Sequence, residues 1–256
     1  MKYIFHIAAL MTVLSYSVFA QADADNDDWH YFAAGYFTAT SIDAKTTAYT
    51  PAGDQELKID PSFSDLLDNL DYGFSGLFIA RKGALSLNID LVFVGLDIDQ
   101  SLPLPGSKAN IDMDIREHEF YVGYAAFDTY PELEVITGIR YIDQDIDVKI
   151  TIPGSTQKMN IGDDWVDPFI GLRYTGPINN KWNWHLRGDV GGFGVGSDFA
   201  WRVDAGTTYR FDKHWEAAIF YKILDMDYET GTSGTPSIFK WDGQEKGLTL
   251  GIGYHF

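Results

Sequence analysis

Charged side chains recur at every second position of otherwise apolar stretches, and what they can do depends on where those stretches point them. Arg140, Arg173, Arg187, Arg202, Arg210 and Lys222 stand in this way against Asp90, Glu119, Glu134, Asp167, Asp189, Asp204 and Glu216. Mixed signs held close together form charge-assisted hydrogen bonds, so the set either fills a closed space or lines a narrow charged passage. A second set is purely acidic: Asp97 and Asp99, Asp112 and Asp114, Asp143, Asp145 and Asp147, Asp163 and Asp164, then Asp225, Asp227 and Glu229. Alternating carboxylates project to one face of a strand, and oxygen-only clusters suit hard cations such as Ca²⁺ or Mg²⁺. Asp97, Asp99, Asp143, Asp145, Asp163 and Asp164 are the weak metal candidates, although no loop has EF-hand spacing. Asp212-Lys213-His214 sets a carboxylate and an imidazole two residues apart, and His118 lies between Glu117 and Glu119. Gly192-Phe193-Gly194-Val195-Gly196 leads into a strand rather than a helix, so it is no nucleotide loop.

Composition limits the partners. The 256 residues hold Lys+Arg 19 against Asp+Glu 37, a formal charge of -18, and no cysteine. A surface this acidic excludes phosphate-backbone recognition, hence nucleic acid; without cysteine there is neither a disulfide nor a thiolate metal site. Met1 to Ala20 carries one charge, Lys2, and an apolar run from Ile4 to Phe19, after which Gln21 to Asp28 turns abruptly acidic. This reads as a signal peptide over residues 1–20, cleaved near Ala20, followed by an acidic periplasmic segment 21–28 and one domain over 29–256.

From Trp29 onward the chain repeats segments of ten to sixteen residues with a period of two, the mark of a β-strand. Leu85, Leu87, Ile89 and Leu91 oppose Ser86, Asn88 and Asp90; Trp201, Val203 and Ala205 oppose Arg202 and Asp204. The last stretch alternates Leu248, Leu250, Ile252, Tyr254 and Phe256 with Gly247, Thr249, Gly251, Gly253 and His255. About ten strands result, with eight as the alternative, joined by alternating short turns and long connections. That is the pattern of an all-β, transmembrane, antiparallel up-and-down barrel with short periplasmic turns and long extracellular loops. The energetics of lipid contact choose the outward face: Arg or Lys at the bilayer midplane costs about 2–4 kcal/mol. Asp90, Glu119, Arg140, Arg173, Arg187, Asp189, Arg202, Asp204 and Lys222 therefore face the lumen as a network. Trp182, Trp184, Tyr209, Phe211, Trp215, Tyr254 and Phe256 cluster at the short-turn end, as an inner aromatic girdle requires. Gly247, Gly251 and Gly253 leave lumen space into which the long arginines of other strands extend. Within the connection to Leu70, the spacing of Phe63, Leu66, Leu67 and Leu70 predicts a short amphipathic helix, with Asp60 as its cap and Pro61 its first residue, sitting as a lid or on the rim.

The ending Gly-Tyr-His-Phe, the run Asp189 to Asp198 and Phe63-Ser-Asp-Leu-Leu-Asp-Asn-Leu70 resemble segments of small Gram-negative outer-membrane barrels of the opacity and outer-membrane-protein-A type, whose familiar members have eight strands. The resemblance implies residence in the cell outer membrane and a closing strand, Tyr254 and Phe256 included, that acts as the insertion signal for the barrel-assembly machinery. It implies outer-membrane lipids and lipopolysaccharide as surroundings and carries no established chemistry or cofactor. Ten strands is also the count of the omptin proteases, which use an Asp-x-His and a facing acidic pair at the external rim; Asp212-Lys213-His214 instead falls on a short, periplasmic turn. No Ser, His and acid arrangement of the lipid A deacylase kind is found. The expected role is structural or surface-interacting and non-enzymatic, the lumen filled by the charged network. A narrow porin-like channel is the alternative, a rim-located hydrolase a distant third, and divalent cations are weak partners.

Overall fold

The computed structural model describes residues 28–50, 53–101 and 105–256. The signal peptide over 1–20, with its cleavage point, and all of the acidic segment 21–28 but its last residue lie outside the described residues. Eleven strands and one helix follow in order: β1 His30–Thr50, β2 Gly53–Ile59, α1 Phe63–Asp68, β3 Leu70–Lys82, β4 Leu85–Ser101, β5 Lys108–Tyr124, β6 Leu133–Ile152, β7 Ser155–Pro177, β8 Trp182–Gly191, β9 Phe199–Arg210, β10 Trp215–Thr230 and β11 Phe239–His255. From β3 to β11 each strand pairs antiparallel with the next, β1 pairs with β3, and β11 returns to β1 from Phe32↔His255 to Thr46↔Trp241. Ten strands thus close an up-and-down barrel. The eleventh, β2, is a hairpin partner of the outer part of β1, from Ala44↔Ile59 to Thr50↔Gly53.

The period of two holds without a break along each long strand, but its polarity inverts partway up. On β6 the inward positions run Glu134, Ile136, Arg140, Ile142, Gln144 and Ile146, all buried, while the outward ones run Leu133, Val135, Ile139, Tyr141 and then Asp143, Asp145 and Asp147. On β10 the outward series Trp215, Ile219, Tyr221 and Ile223 gives way to Asp225, Asp227 and Glu229, while Lys222 on the inside gives way to Leu224, Met226 and Tyr228. The lower half is apolar outside and charged inside, as lipid demands. The upper half is polar outside and apolar inside, as water demands. There Ile42, Leu96, Met113, Ile115, Ile142, Ile146, Trp165, Leu224, Met226, Phe239 and Trp241 form one buried cluster, capped by Trp165 stacked on Tyr228 at 4.2 Å between ring centroids.

Strand length agrees with this division. β7 has 23 residues, roughly 76 Å of strand at about 3.3 Å per residue. Tilted by about 40°, it rises roughly 58 Å, well beyond an apolar band of about 25 Å. The stretch from Lys149 to Asp164, which the sequence pattern leaves as one of the long connections, is therefore strand rather than loop. β6 runs on to Ile152 and β7 starts at Ser155 across a turn at Gly154, whose φ of 84 suits glycine. Much of what reads as polar loop is strand whose outward residues have left the membrane.

At the short-turn end the girdle is present: Trp182 packs on Tyr209 at 4.9 Å, Tyr209 on Phe211 at 5.1 Å, Trp215 on Tyr254 at 5.0 Å and Tyr254 on Phe256 at 5.1 Å. The helix starts later than its spacing suggests, at Phe63 rather than Pro61. Ser62 is the cap, accepting from Asp65 N while the Asp65 carboxylate accepts from Ser62 N, a capping box. Asp60 instead pairs with Lys58 at 2.8 Å. The glycines of β11 do not make room for arginines either. A Cβ at Gly253 would meet the Phe32 ring, one at Gly247 the backbone of Ala39, and one at Gly251 the Cβ of Tyr36; the space they leave belongs to β1, which closes the barrel there.

Candidate functional site

Adjacent strands deliver the lumen charges at matching heights. Glu119 on β5 lies opposite Arg140 on β6 and Asp90 on β4, Arg140 lies opposite Asp167 on β7, and Arg202 on β9 opposite Asp189 on β8. At the centre Glu119 accepts from Arg140 Nε at 2.7 Å and from Arg187 Nη1 at 2.8 Å, with Arg202 Nη1 at 3.1 Å. Asp189 accepts from Arg140 Nη2 at 2.9 Å and Arg187 Nε at 2.8 Å. Arg202 also holds Asp204 at 2.8 Å and lies 3.9 Å from Asp90, which accepts from the Tyr36 hydroxyl at 2.5 Å. Three guanidiniums thus face four carboxylates, each residue less than a tenth exposed.

The planar guanidiniums are packed as well as paired. Arg140 and Arg187 each lie 5.2 Å from the Phe169 ring centroid, and Arg187 lies 5.0 Å from that of Tyr121. The planar, weakly hydrated guanidinium is better suited than an ammonium to stacking of this kind. Toward the periplasm a second group forms around Glu134, which accepts from Arg81 at 2.7 Å and Arg173 at 2.8 Å. Arg173 further donates to Asn88 and Ser86. Toward the outside Lys222 pairs with Glu117 at 2.9 Å, and above that level the apolar cluster begins.

All nine network residues expected from the sequence are lumen-facing. Seven of them, Asp90, Glu119, Arg140, Arg187, Asp189, Arg202 and Asp204, assemble at the centre; Arg173 belongs to the inner group and Lys222 to the outer. Asp167 is engaged elsewhere, its carboxylate accepting from Ser197 N at 2.6 Å and Ser197 Oγ at 2.7 Å and so fixing the bend between β8 and β9. Sequence reasoning passed over Arg81, Glu117 and Glu245 as network members, though each sits at an inward parity of its strand.

The acidic residues lie higher and mostly on the exterior. Across strands Asp97 faces Asp112, Asp112 faces Asp147, Asp114 faces Asp145, and Asp143 faces Asp164. Asp143 pairs with Arg116 at 2.6 Å, Asp145 accepts from Asn160 at 2.6 Å, and Asp99 accepts from Asn110. Asp163 turns inward and accepts from the Tyr228 hydroxyl at 2.9 Å; burial, with that bond, pushes the Tyr228 phenol up to about 12. Burial, and then repulsion from Asp242, Asp198 and Glu229, raises Asp227 above the ordinary carboxylate range. Among the described residues no group of three or more His, Asp or Glu converges as a metal site; the six weak candidates are spread over a collar.

Asp212-Lys213-His214 sits at the girdle end, beside the chain terminus. Asp212 Oδ1 accepts from His214 N at 2.7 Å and Trp215 N at 2.9 Å, and these two backbone bonds hold the carboxyl below its usual range. His214 Nδ1 lies 3.0 Å from the His255 carbonyl. Both groups serve the turn. His118 faces outward between Phe93, at 4.7 Å, and Tyr141, at 6.0 Å, in an outer aromatic belt.

This is the fold of a Gram-negative outer-membrane β-barrel, with a buried charged network across its lumen. The outer membrane protease OmpT of Escherichia coli is similar in structure, with a TM-score of 0.54 at 11% identity over 90% of this chain and 97% of that one. The translocator domain of the autotransporter NalP from Neisseria meningitidis gives 0.43 at 10% identity, covering 91% and 90% of the two chains. Neisserial surface protein A gives 0.27 at 14%, covering 89% and 97%. At 11% identity the likeness to OmpT is one of fold alone. The sequence matches no protein-family model and no curated protein.

Proposed function

We propose that the chain is a non-enzymatic structural or surface-interacting barrel of the outer membrane, its lumen held shut rather than open to solutes. The observation that carries this reading is the central network: Arg140, Arg187, Asp189 and Glu119 are each 5% exposed or less and bonded to one another inside the lumen, between β5, β6 and β8. Water-filled pores line their walls with solvated charge, whereas here the charges are buried and ion-paired with one another. The apolar cluster above adds a second closure, in which Leu224 and Met226 have no exposed surface. Against a rim hydrolase stands the placement of the two histidines weighed for catalysis, one in the periplasmic turn and one on the outer wall. The same reading assigns Tyr254 and Phe256 to recognition by the assembly machinery and the acidic collar to the lipopolysaccharide level, with weakly held divalent cations. The test is single-channel recording of the refolded chain in planar bilayers. No discrete conductance steps are expected; steps at low voltage would replace this reading with that of a narrow channel.

A further inference from the structure

Two small outward side chains meet on neighbouring strands of the lipid-facing wall. Thr207 on β9 lies opposite Ile219 on β10, and one pair further toward the periplasm Ala217 on β10 lies opposite Tyr209 on β9. The flanking strands set large side chains at the same two levels, Trp182 of β8 across from Tyr209 and Leu250 of β11 across from Ile219. The result is a dent of about 300 Å³ in the outer wall, bounded by Trp182, Tyr209, Ile219 and Leu250, with Thr207 and Ala217 at its floor. Thr207 is two residues beyond Tyr209, roughly 7 Å of strand at about 3.3 Å per residue. The dent therefore opens just above the aromatic girdle, at the depth of the first methylenes of a lipid in the periplasmic leaflet.

Beneath it are the turns that join β7 to β8 and β9 to β10. Each carries an exposed lysine, Lys181 and Lys213. Lys181 Nζ lies 3.5 Å from the Tyr209 hydroxyl and 5.7 Å from its ring centroid, so its ammonium stands over the rim of the dent. The one acid in these two turns is Asp212, whose Oδ1 is held by the backbone N–H groups of His214 and Trp215. The next carboxylate along the chain, Glu216, pairs with Arg210 at 3.1 Å on the lumen side. In a chain of formal charge -18, this corner of the girdle presents cations to the headgroups.

We propose that the dent and the two lysines form a site for one anionic phospholipid of the periplasmic leaflet. Its phosphate sits on Lys181 and Lys213, with the Tyr209 hydroxyl as a further donor, and the upper part of one acyl chain fills the space over Thr207 and Ala217. A lysine beside an anionic headgroup contributes about a fivefold gain in binding. A choline headgroup brings its own cation against the same two lysines and is held less tightly. The site needs the barrel in the membrane but not a closed lumen, so conductance does not bear on it.

The test is native mass spectrometry of the full chain refolded in micelles, with dioleoylphosphatidylglycerol or dioleoylphosphatidylcholine added at equal concentration. Heat-modifiable gel migration confirms that each variant is folded. One phosphatidylglycerol per chain is expected, at least fivefold more occupied than phosphatidylcholine. Lys181→Gln with Lys213→Gln should abolish that preference. Thr207→Leu with Ala217→Leu, which fills the dent and leaves both lysines in place, should lower phosphatidylglycerol occupancy at least fivefold. Lys82→Gln removes a cation at the periplasmic end of β3, beyond β11 and β1, and should leave the occupancy unchanged. No adduct, equal adducts from the two lipids, an effect missing from either double substitution, or an equal loss with Lys82→Gln overturns the proposal.

Discussion

Replacing Glu119 by alanine removes the one carboxylate that all three central guanidiniums share. Its two short bonds, to Arg140 and Arg187, are each of the charged kind that contributes about 1.5–3 kcal/mol, or roughly 3–6 kcal/mol together. Breaking a buried ion pair by deleting one partner independently costs about 3–5 kcal/mol, because the other charges stay buried and uncompensated. Glu119→Ala is therefore expected to lower the unfolding free energy by about 3–5 kcal/mol. Glu119→Gln, which keeps the volume and one acceptor oxygen, should lose about one charge-assisted bond, ~1.5–3 kcal/mol. The assay is reversible urea unfolding in lipid vesicles, followed by tryptophan fluorescence and by heat-modifiable migration. A solvated lumen would screen these charges, and exposed pairs contribute only about 0–1 kcal/mol. A loss below about 1 kcal/mol for Glu119→Ala would therefore refute the dry, interlocked lumen.

Two further outcomes follow from the two ends of the barrel. Because the folded-state pKa of Asp212 is depressed by its two backbone bonds, its contribution is present above the unfolded value of about 3.9 and is lost as pH falls through the folded value. Asp212→Ala should thus lower the thermal midpoint at pH 7, and the difference from wild type should vanish in strongly acid solution; a difference independent of pH would assign the effect to something other than this carboxylate. At the outer end, facing carboxylates such as Asp112 and Asp147 or Asp143 and Asp164 repel, and millimolar Ca²⁺ should relieve that repulsion. With a dissociation constant of about 1 mM, 5 mM free Ca²⁺ stabilises by about 1 kcal/mol; identical melting in Ca²⁺ and in chelator would remove divalent cations from the collar.

Within the membrane band the face of each strand is legible from the sequence, because an arginine such as Arg202 or Arg140 can point only inward and fixes the parity of its neighbours. Ten strands follow from counting those parities. Above the band the same rule misleads. The stretch from Lys149 to Asp164 looks like a loop when apolar residues are expected outside, yet Val148, Ile150, Met159 and Ile161 continue the period of two on the opposite face. The solvent had changed, not the strand. Arg81, Glu117 and Glu245 are inconspicuous for simpler reasons: Arg81 abuts a turn, Glu117 lies beside the more prominent His118, and Glu245 precedes the recognisable closing stretch. Pair distances and the change of partner along β1, from β3 to β2, have no local signature, since they depend on where distant strands stop pairing.

The inversion of polarity along each long strand also works as a draught line. Sinking the barrel by two residues along β6 and β10 would carry Asp143 and Asp225 into hydrocarbon, and raising it by as much would lift Phe211, Trp215 and Phe256 out of the inner interface. Either displacement meets its penalty on several strands at once, so the depth of immersion is held from both sides. A barrel held in this way cannot slide to suit a thicker bilayer; the bilayer must thin around it instead.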